Sequence, residues 1–168
     1  MTLTSAQLAD LDALSSPHAL IVFLRVSHSA LLDDIRVVND VLPYVRGGET
    51  WEAVPGLKPR LVDDSDGTPR TVLELPNIDR TVGRALRATN ERALVSVEVL
   101  SSADFDLTVE PRTEIGTAEV YYAFRHFETL SASVTAVSAE IQIVLRDYSQ
   151  EPWPAIRATQ DRLPGVFR

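Results

Sequence analysis

The sequence predicts a mainly β fold, either a barrel or a sandwich, with one flanking interior helix and a short helix near the amino terminus. Three observations support this prediction. At 168 residues and 45% apolar content, the chain is long enough for a single domain with a substantial core. Several segments alternate apolar and polar side chains with the period of a β-strand, whereas a single interior segment has helical spacing. Alternation of this kind is typical of antiparallel strands that each bury one face.

The first predicted element is a short helix. Thr4, with Gln7 three residues later, matches a capping box, in which each residue bonds to the backbone of the other. Leu8, Leu11 and Leu14 then fall on one side of a helix. We expect the helix to end at Ser15-Ser16-Pro17 because proline cannot continue it.

Strand patterns follow this helix. Residues 20–27 alternate, and one face of this predicted strand is wholly aliphatic, while residues 35–38 form a second, short strand. Residues 46–49, Arg-Gly-Gly-Glu, predict a hairpin turn between strands at 43–45 and 50–54. Pro55-Gly56 and Pro59 then interrupt the pattern.

The second half of the chain continues the β pattern around one helix. Residues 71–75 predict a strand, and Asp79 is a candidate N-cap for a helix over residues 80–88. Further strands are expected at 95–99, at 118–125 with a turn near His126, at 130–136 and at 141–145. Four sets of alternating residues are predicted to form one core: Leu20/Val22/Leu24/Val26, Val95/Val97/Val99, Val120/Tyr122/Phe124 and Ile141/Ile143/Leu145.

The chain is expected to divide into a β-rich domain, residues 1–150, and a proline-rich carboxyl-terminal arm, residues 151–168. The arm carries large apolar side chains on a proline-stiffened backbone that cannot build a core of its own. We therefore expect the arm to dock either on its own domain or across a neighbouring subunit. The residues predicted to make this contact are Trp153, Pro154, Leu163, Val166 and Phe167.

The composition excludes several classes of function. The formal net charge of −8 argues against a general nucleic-acid binder, which needs a basic surface for the phosphates. The absence of cysteine excludes disulfides, iron–sulfur clusters, thiolate zinc sites and cysteine nucleophiles. Neither a membrane span nor a signal peptide is predicted, so the protein is expected to be made in a cytoplasm.

The sequence contains no pattern typical of catalysis or of cofactor binding. His18, His28 and His126 lack a second ligand at a metal-site spacing. The acidic run at residues 63–67 is interpreted as a solvated turn or a weak ion site, because the first and last ligands of a calcium loop are missing. Nucleophile-elbow, dinucleotide and phosphate-loop motifs are absent too. We therefore predict no enzymatic activity, no cofactor and no metal.

Arginines on the predicted interior helix are candidate interaction residues. Arg80, Arg84 and Arg87 fall at i, i+4 and i+7, which places them in one stripe. Such a stripe is either a solvated helix face or a basic seam that docks on an acidic neighbouring subunit.

Several short stretches resemble a known family, the phage minor tail proteins of siphophage and prophage tail-tip gene clusters. The resemblance covers nearly the whole chain. Its stretches are residues 21–26 (IVFLRV), 35–40 (IRVVND), Gly48 with Trp51 and Pro55, 75–80 (LPNIDR), 151–154 (EPWP) and 162–167 (RLPGVF). The last two are the most specific. The order of elements is also similar to the amino-terminal part of the lambda-type tail-tip protein L, whose later cysteine-rich iron–sulfur segment has no counterpart here.

The resemblance implies a structural subunit of a phage tail tip, with a barrel or sandwich of tail-tube or hub type. Such a subunit would form a ring with copies of itself, a trimer being favoured over a hexamer, and would link the tail tube to the tip around the DNA channel. Its partners would be other tail-tip, hub and tape-measure proteins, and its location the virion. Two alternatives stay open: a distal-tail or tube-terminating ring subunit, and a host-surface glycan-binding or glycan-cleaving module.

Overall fold

The structure is a computed structural model, and it describes residues 3–29, 31–59, 70–76, 92–135 and 138–145. These residues are mainly β, as the sequence predicted. They form helix α1 (Ser5–Asp12), a single 3-10 turn (Ser102–Asp104) and eleven strands. The strands are β1 (Leu20–Ser27), β2 (Ile35–Val38), β3 (Tyr44–Arg46), β4 (Glu49–Ala53), β5 (Lys58–Pro59), β6 (Arg70–Pro76), β7 (Leu94–Ser101), β8 (Phe105–Asp106), β9 (Arg112–Glu114), β10 (Val120–Val134) and β11 (Ser138–Leu145).

The strands follow one another in the order β5-β6-β11-β10-β7-β1-β2-β4-β3-β9-β8. Most neighbours are antiparallel, as expected, but β2 pairs with β4 and β3 with β9 in parallel. The short strands β5, β8 and β9 were not predicted, because two or three residues are too few to show alternation. The predicted interior helix at 80–88, the acidic run at 63–67 and the arm at 151–168 lie outside the described residues.

The sheet curves back on itself. In a flat sheet, β5 and β4 would lie seven strand spacings apart, which is about 34 Å at 4.8 Å per spacing. However, four residues join Ala53 at the end of β4 to Lys58 at the start of β5, and a connection of that length spans at most about 18 Å. Leu57 in this connection is fully buried, and the side-chain amide of Asn39 donates to its carbonyl oxygen at 3.3 Å. These β-strands therefore form a barrel-like layer around a core.

The predicted core is largely confirmed, and we call it the inner core. All four predicted sets contribute: its buried members include Leu24, Val26, Val95, Val97, Ile141 and Ile143, and Val22, Phe124 and Leu145 pack against it. The register explains why they meet, since Leu24 lies opposite Val97 and Val97 lies opposite Phe124 on the next strand.

Four residues of the predicted core are not part of the inner core, and one of them, Val99 on β7, is only half-buried. Leu20 and Tyr122 are 50% and 57% exposed. Val120 packs against a different cluster, because the β7–β10 register shifts by one residue between Val120 and Tyr122. Such a bulge sends the side chains before it to the opposite face.

A second hydrophobic cluster, the outer core, lies on the other face of β1 and β7. Its largest members are Phe23, Tyr44, Trp51, Leu100 and Phe105. Phe23 is its centre, with ring centroids of Tyr44, Trp51 and Phe105 at 5.6, 5.1 and 5.5 Å. The expectation that each strand buries only one face is therefore wrong for β1, because β3, β4 and β8 cover its second face.

The turn predicted near His126 is also wrong. β10 runs without interruption from Val120 to Val134, and His126 is an exposed residue within it. A second register shift between Phe124 and Phe127 turns both rings toward the inner core. Bulges keep the strand continuous where strict alternation fails.

Truncating Val97 to alanine should lower the free energy of unfolding by about 1–3 kcal/mol, because Val97 is fully buried in the inner core and its methyl groups leave a cavity. Urea denaturation measures this value. Val72→Ala is the matched control, since Val72 is 40% exposed on β6, and its effect should be within about 0.5 kcal/mol. Equal losses at the two positions would contradict the assignment of the inner core.

Candidate functional site

A cleft of about 430 Å³ lies on the outer face of the sheet, beside the outer core. This volume is within the roughly 300–1,000 Å³ that is usual for ligand pockets. Phe23 of β1 and Ser96 of β7 are among its lining residues, and the β3–β4 hairpin contributes Gly47 and Trp51. Five charged side chains complete the lining: Arg25, Arg46, Glu49, Glu98 and Arg125.

The hairpin that borders the cleft is the one that the sequence predicted. Its turn consists of Gly47 and Gly48, with φ angles of +57° and +77°, a conformation that L side chains rarely adopt and that a two-residue type I′ turn requires. The Gly47 amide donates to the Glu114 carboxylate at 3.0 Å. Arg46 and Glu49 flank the turn, so the hairpin brings one charge of each sign to the cleft.

Glu98 joins two of the arginines. Arg46 donates to its Oε2 at 2.6 Å, and Arg125 donates to its Oε1 from Nε at 3.2 Å and from Nη2 at 2.9 Å. Each carboxylate oxygen is thus bound by a different guanidinium. The three residues come from β3, β7 and β10, so this contact ties the hairpin to the sheet.

Glu49 is the second acceptor of the cleft. It pairs with Arg25, and it accepts a hydrogen bond from Arg36 at 2.8 Å, while Asp34 lies 3.9 Å from the Arg25 Nε. Together with the Glu98 group, the network holds four guanidinium groups and three carboxylates. Its one surplus positive charge is balanced by the Glu114 carboxylate, which accepts from the Gly47 amide at the same cleft.

Two arginines also contact aromatic rings. The Arg25 guanidinium lies 5.5 Å from the Trp51 ring centroid, and that of Arg46 lies 5.5 Å from Phe23, which are favourable cation–π distances. Trp51 is 95% buried, and its indole Nε1 has no hydrogen-bond partner among the described residues. A buried donor without an acceptor is uncommon in folded proteins.

The pKa of Glu98 is lowered. Burial acts in the opposite direction and raises it, but the hydrogen bonds and positive charges of Arg46 and then Arg125 outweigh burial. A carboxyl group with a depressed pKa in the folded state contributes stability above its ordinary pKa of 4.5, and that contribution is lost as the pH falls through the folded value.

We expect the stability difference between the wild type and Glu98→Gln to be largest near neutral pH and to shrink below about pH 4.5. Urea denaturation of both proteins from about pH 7 to pH 3 measures this difference. Glu52→Gln on β4 is the control, since Glu52 is exposed and the part of the chain that the structure describes gives it no ion pair. A difference that stays constant over this range would contradict the role given to Glu98.

A second polar group lies at the other end of β3. Tyr44 donates to Asp40 at 2.6 Å, and the Arg112 Nη1 donates to the Tyr44 hydroxyl at 2.8 Å and to Asp40 at 2.5 Å. Burial and the acceptor Asp40 raise the pKa of Tyr44 to about 12, against a smaller lowering by Arg112. Because its pKa is raised, the Tyr44 phenol keeps its proton and is not an activated nucleophile. The hydrogen bond between Tyr44 and Arg112 instead links β3 to β9.

None of the interaction residues predicted from the sequence lies in the described part of the chain: Arg80, Arg84, Arg87, Trp153, Pro154, Leu163, Val166 and Phe167 all fall outside it. Within the ranges described, the structure contains no group of three or more potential metal ligands. No helix there is long and apolar enough to cross a bilayer.

None of the five charged residues that line the cleft was predicted from the sequence. One signal was available at Arg25, which follows Ile21 and Phe23 in the alternation of β1 and so had to lie on the face that they bury. No comparable signal marked Glu98 or Arg125, since alternation of polar residues is equally typical of a solvated face. No protein-family model matches the chain, and no curated protein matches it either.

Proposed function

We propose that this chain is a non-enzymatic structural subunit of a phage or prophage-derived tail tip. In this role it forms a ring with copies of itself, links the tail tube to the tip and surrounds the DNA channel. The proposal starts from the resemblance of the IVFLRV, IRVVND, EPWP and RLPGVF stretches to minor tail proteins. The β-dominated fold is compatible with it, because ring subunits commonly join through strands and arms.

The observation that best supports the proposal is the surface of α1. The capping box is formed. The backbone N–H of Gln7 donates to Thr4 Oγ1 at 3.3 Å, and the backbone N–H of Thr4 donates to Gln7 Oε1 at 2.9 Å. Yet the polar Gln7 is 95% buried, while Leu8 and Leu11 are 47% and 41% exposed. Leu14, just beyond the helix, is fully exposed. An apolar stripe that faces outward is typical of a surface that another polypeptide covers.

The charge of the chain is compatible with the same role. A subunit that surrounds a DNA channel benefits from a negative surface, since attraction would retain the passing phosphates. A net charge of −8 meets this requirement. The stoichiometry proposed is a trimer, with a hexamer as the alternative, and the partners proposed are hub, tape-measure and other tail-tip proteins. A distal-tail or tube-terminating ring would use the same surfaces with different neighbours.

Purified particles test this function. Quantitative mass spectrometry should find the chain in the virion at a copy number that is a multiple of three, and gold-labelled antibody should mark the end of the tail that is far from the head. A tube-terminating subunit would instead be marked at the head-proximal end. Absence of the chain from purified, infectious particles would overturn the proposal.

A glycan-binding or glycan-cleaving module is the second candidate. Tyr122 favours it, because this ring is 57% exposed and stacks on Phe124 with centroids 6.0 Å apart, so it offers a surface for a sugar. The carboxylates of the cleft do not favour cleavage. Glu98 and Glu49 each bind two guanidinium groups, and the lowered pKa of Glu98 is the opposite of what a general acid needs. Release of reducing sugar from host cell-wall glycan would establish this candidate.

A further inference from the structure

We infer that the outward face of α1 binds residues 80–87 of a second copy of this chain. The inference rests on the proposed function, in which copies join in a ring, and it deepens that function by assigning the contact between copies to particular residues. Three observations support it: the exposed apolar face of the helix, the negative charge around that face, and the length of chain between β6 and Arg80.

The exposed leucines of α1 lie among carboxylates. The Tyr121 hydroxyl donates to Asp10 at 3.4 Å, and Thr4 Oγ1 donates to Glu119 at 3.3 Å, so both carboxylates lie where the helix meets the sheet. The backbone N–H of Glu119 donates to Asp104 at 3.2 Å, which places a further carboxylate beside it. We call this region the α1 surface, and its members are Leu8, Asp10, Leu11, Asp12, Asp104 and Glu119.

The described residues do not neutralise the four carboxylates of the α1 surface. None of these carboxylates forms an ion pair with a described residue, and the nearby His18 is counted as neutral at pH 7. Burial raises the pKa of Asp104, and the negative charges of Glu119 and Glu114 raise it further. The last turn of α1 contains no basic residue, although cations are favoured at that end of a helix. The surface therefore favours an occupant with several positive charges that also covers leucine side chains.

Residues 80–90 have this character. They contain Arg80, Arg84 and Arg87 and no acidic residue, whereas every other acid-free stretch of the sequence contains at most two basic residues. In the helix that the sequence predicts, the three arginines form one stripe. Their aliphatic stems can cover Leu8 and Leu11 while the guanidinium groups pair with the carboxylates.

Chain length places this contact between two copies. Pro76, at the end of β6, lies opposite Ser138, whose carbonyl oxygen accepts from the Thr135 amide. Tyr121, which contacts α1, precedes Thr135 by 14 positions, or about 46 Å along β10 at 3.3 Å per residue. Arg80 follows Pro76 by four residues, which span at most about 14 Å. The arginine stripe therefore meets the α1 surface only on a second copy, and a contact between two different surfaces is the head-to-tail type that closes rings.

Fluorescence anisotropy with a labelled peptide of residues 80–90 tests the contact. The receptor is the full chain with Arg80→Gln, Arg84→Gln and Arg87→Gln, so that its own segment does not compete. We expect saturable binding that weakens with added salt. The peptide with glutamine at the three arginine positions should bind roughly tenfold more weakly or worse, because it loses its ion pairs. Equal binding of the two peptides would indicate an apolar partner instead and would overturn the inference.

Two pairs of substitutions in the receptor separate docking from general attraction to an acidic protein. Asp12→Asn with Glu119→Gln should weaken binding roughly three- to tenfold, because it removes two of the four carboxylates of the α1 surface. Glu52→Gln with Glu140→Gln is the matched control. It changes the net charge by the same amount at exposed positions on β4 and β11, and its affinity should equal that of the receptor. Equal losses in the two pairs would contradict the contact.

The absence of cysteine allows a second test by disulfide crosslinking of the full chain. Chains with Leu11→Cys and chains with Arg84→Cys are mixed and oxidised, and we expect a disulfide-linked heterodimer. In the control, Leu32→Cys replaces Leu11→Cys. Leu32 is fully exposed in the connection between β1 and β2, and its yield of heterodimer should be several times lower. Equal yields would overturn the inference.

Both assays use the isolated chain, whereas the proposed function is tested on purified particles. A chain that is located at the tail tip but fails both assays would refute this contact alone. A chain that passes both assays but is absent from infectious particles would support the contact and refute the proposed function.

Discussion

Replacing Phe23 by alanine should lower the free energy of unfolding by about 3–5 kcal/mol, which is a large share of the roughly 5–15 kcal/mol by which native domains are stable. Phe23 is fully buried at the centre of the outer core, and three aromatic rings surround it. Its removal leaves a cavity between β1 and the covering strands, and it also deprives Arg46 of the ring beneath its guanidinium. Equilibrium urea denaturation, followed by far-ultraviolet circular dichroism, measures the loss.

Leu20→Ala provides the control on the same strand. Leu20 is 50% exposed, so its truncation should cost no more than about 1 kcal/mol. Phe23→Leu retains much of the buried volume and should fall between the two. A loss below about 1 kcal/mol for Phe23→Ala would mean that the strands β3, β4 and β8 do not cover β1 in solution.

Deleting residues 151–168 should abolish tail assembly while leaving a folded, mainly β domain. The segment lies outside the described residues, and the expectation comes from its composition. Burying Trp153 and Phe167 would contribute roughly 2–3 kcal/mol each, which is more than a free terminus needs.

The exposed leucines of α1 allow a second test of the assembly surface. The Tyr121 hydroxyl donates to Asp10 of α1 at 3.4 Å, and Leu8 and Leu11 of the same helix are 47% and 41% exposed. We therefore expect Leu8→Ser with Leu11→Ser to impair assembly as the deletion does, with unchanged circular dichroism. Leu107→Ser, at a residue that is 46% exposed in the turn between β8 and β9, is the control and should assemble normally. Normal yields of infectious particles from the truncated chain would show that the arm is dispensable.

Local sequence determined several of the individual elements. Alternation in residues 20–26 and 95–99 placed the residues of the inner core on one face, because side chains of a strand alternate regardless of what lies around them. The Gly47-Gly48 pair determined the hairpin since few residues other than glycine adopt two successive positive φ angles. The Thr4–Gln7 capping box determined the start of α1 in the same way, through contacts within four residues.

Tertiary structure decided how these elements are used. Register shifts in β10 sent Val120 to the outer core and both Phe124 and Phe127 to the inner one, and such shifts depend on the partner strand rather than on β10 itself. The cleft unites Arg25, Glu98 and Arg125, which are separated by 73 and 27 positions along the chain. The alternation of apolar and polar residues shows which face of a strand a residue occupies. It does not show which other strand covers that face. For that reason the sequence alone determined the β-rich fold and most of its inner core. The outer core and the charged cleft depend on the packing of the β3–β4 hairpin against β1, which only the tertiary structure shows.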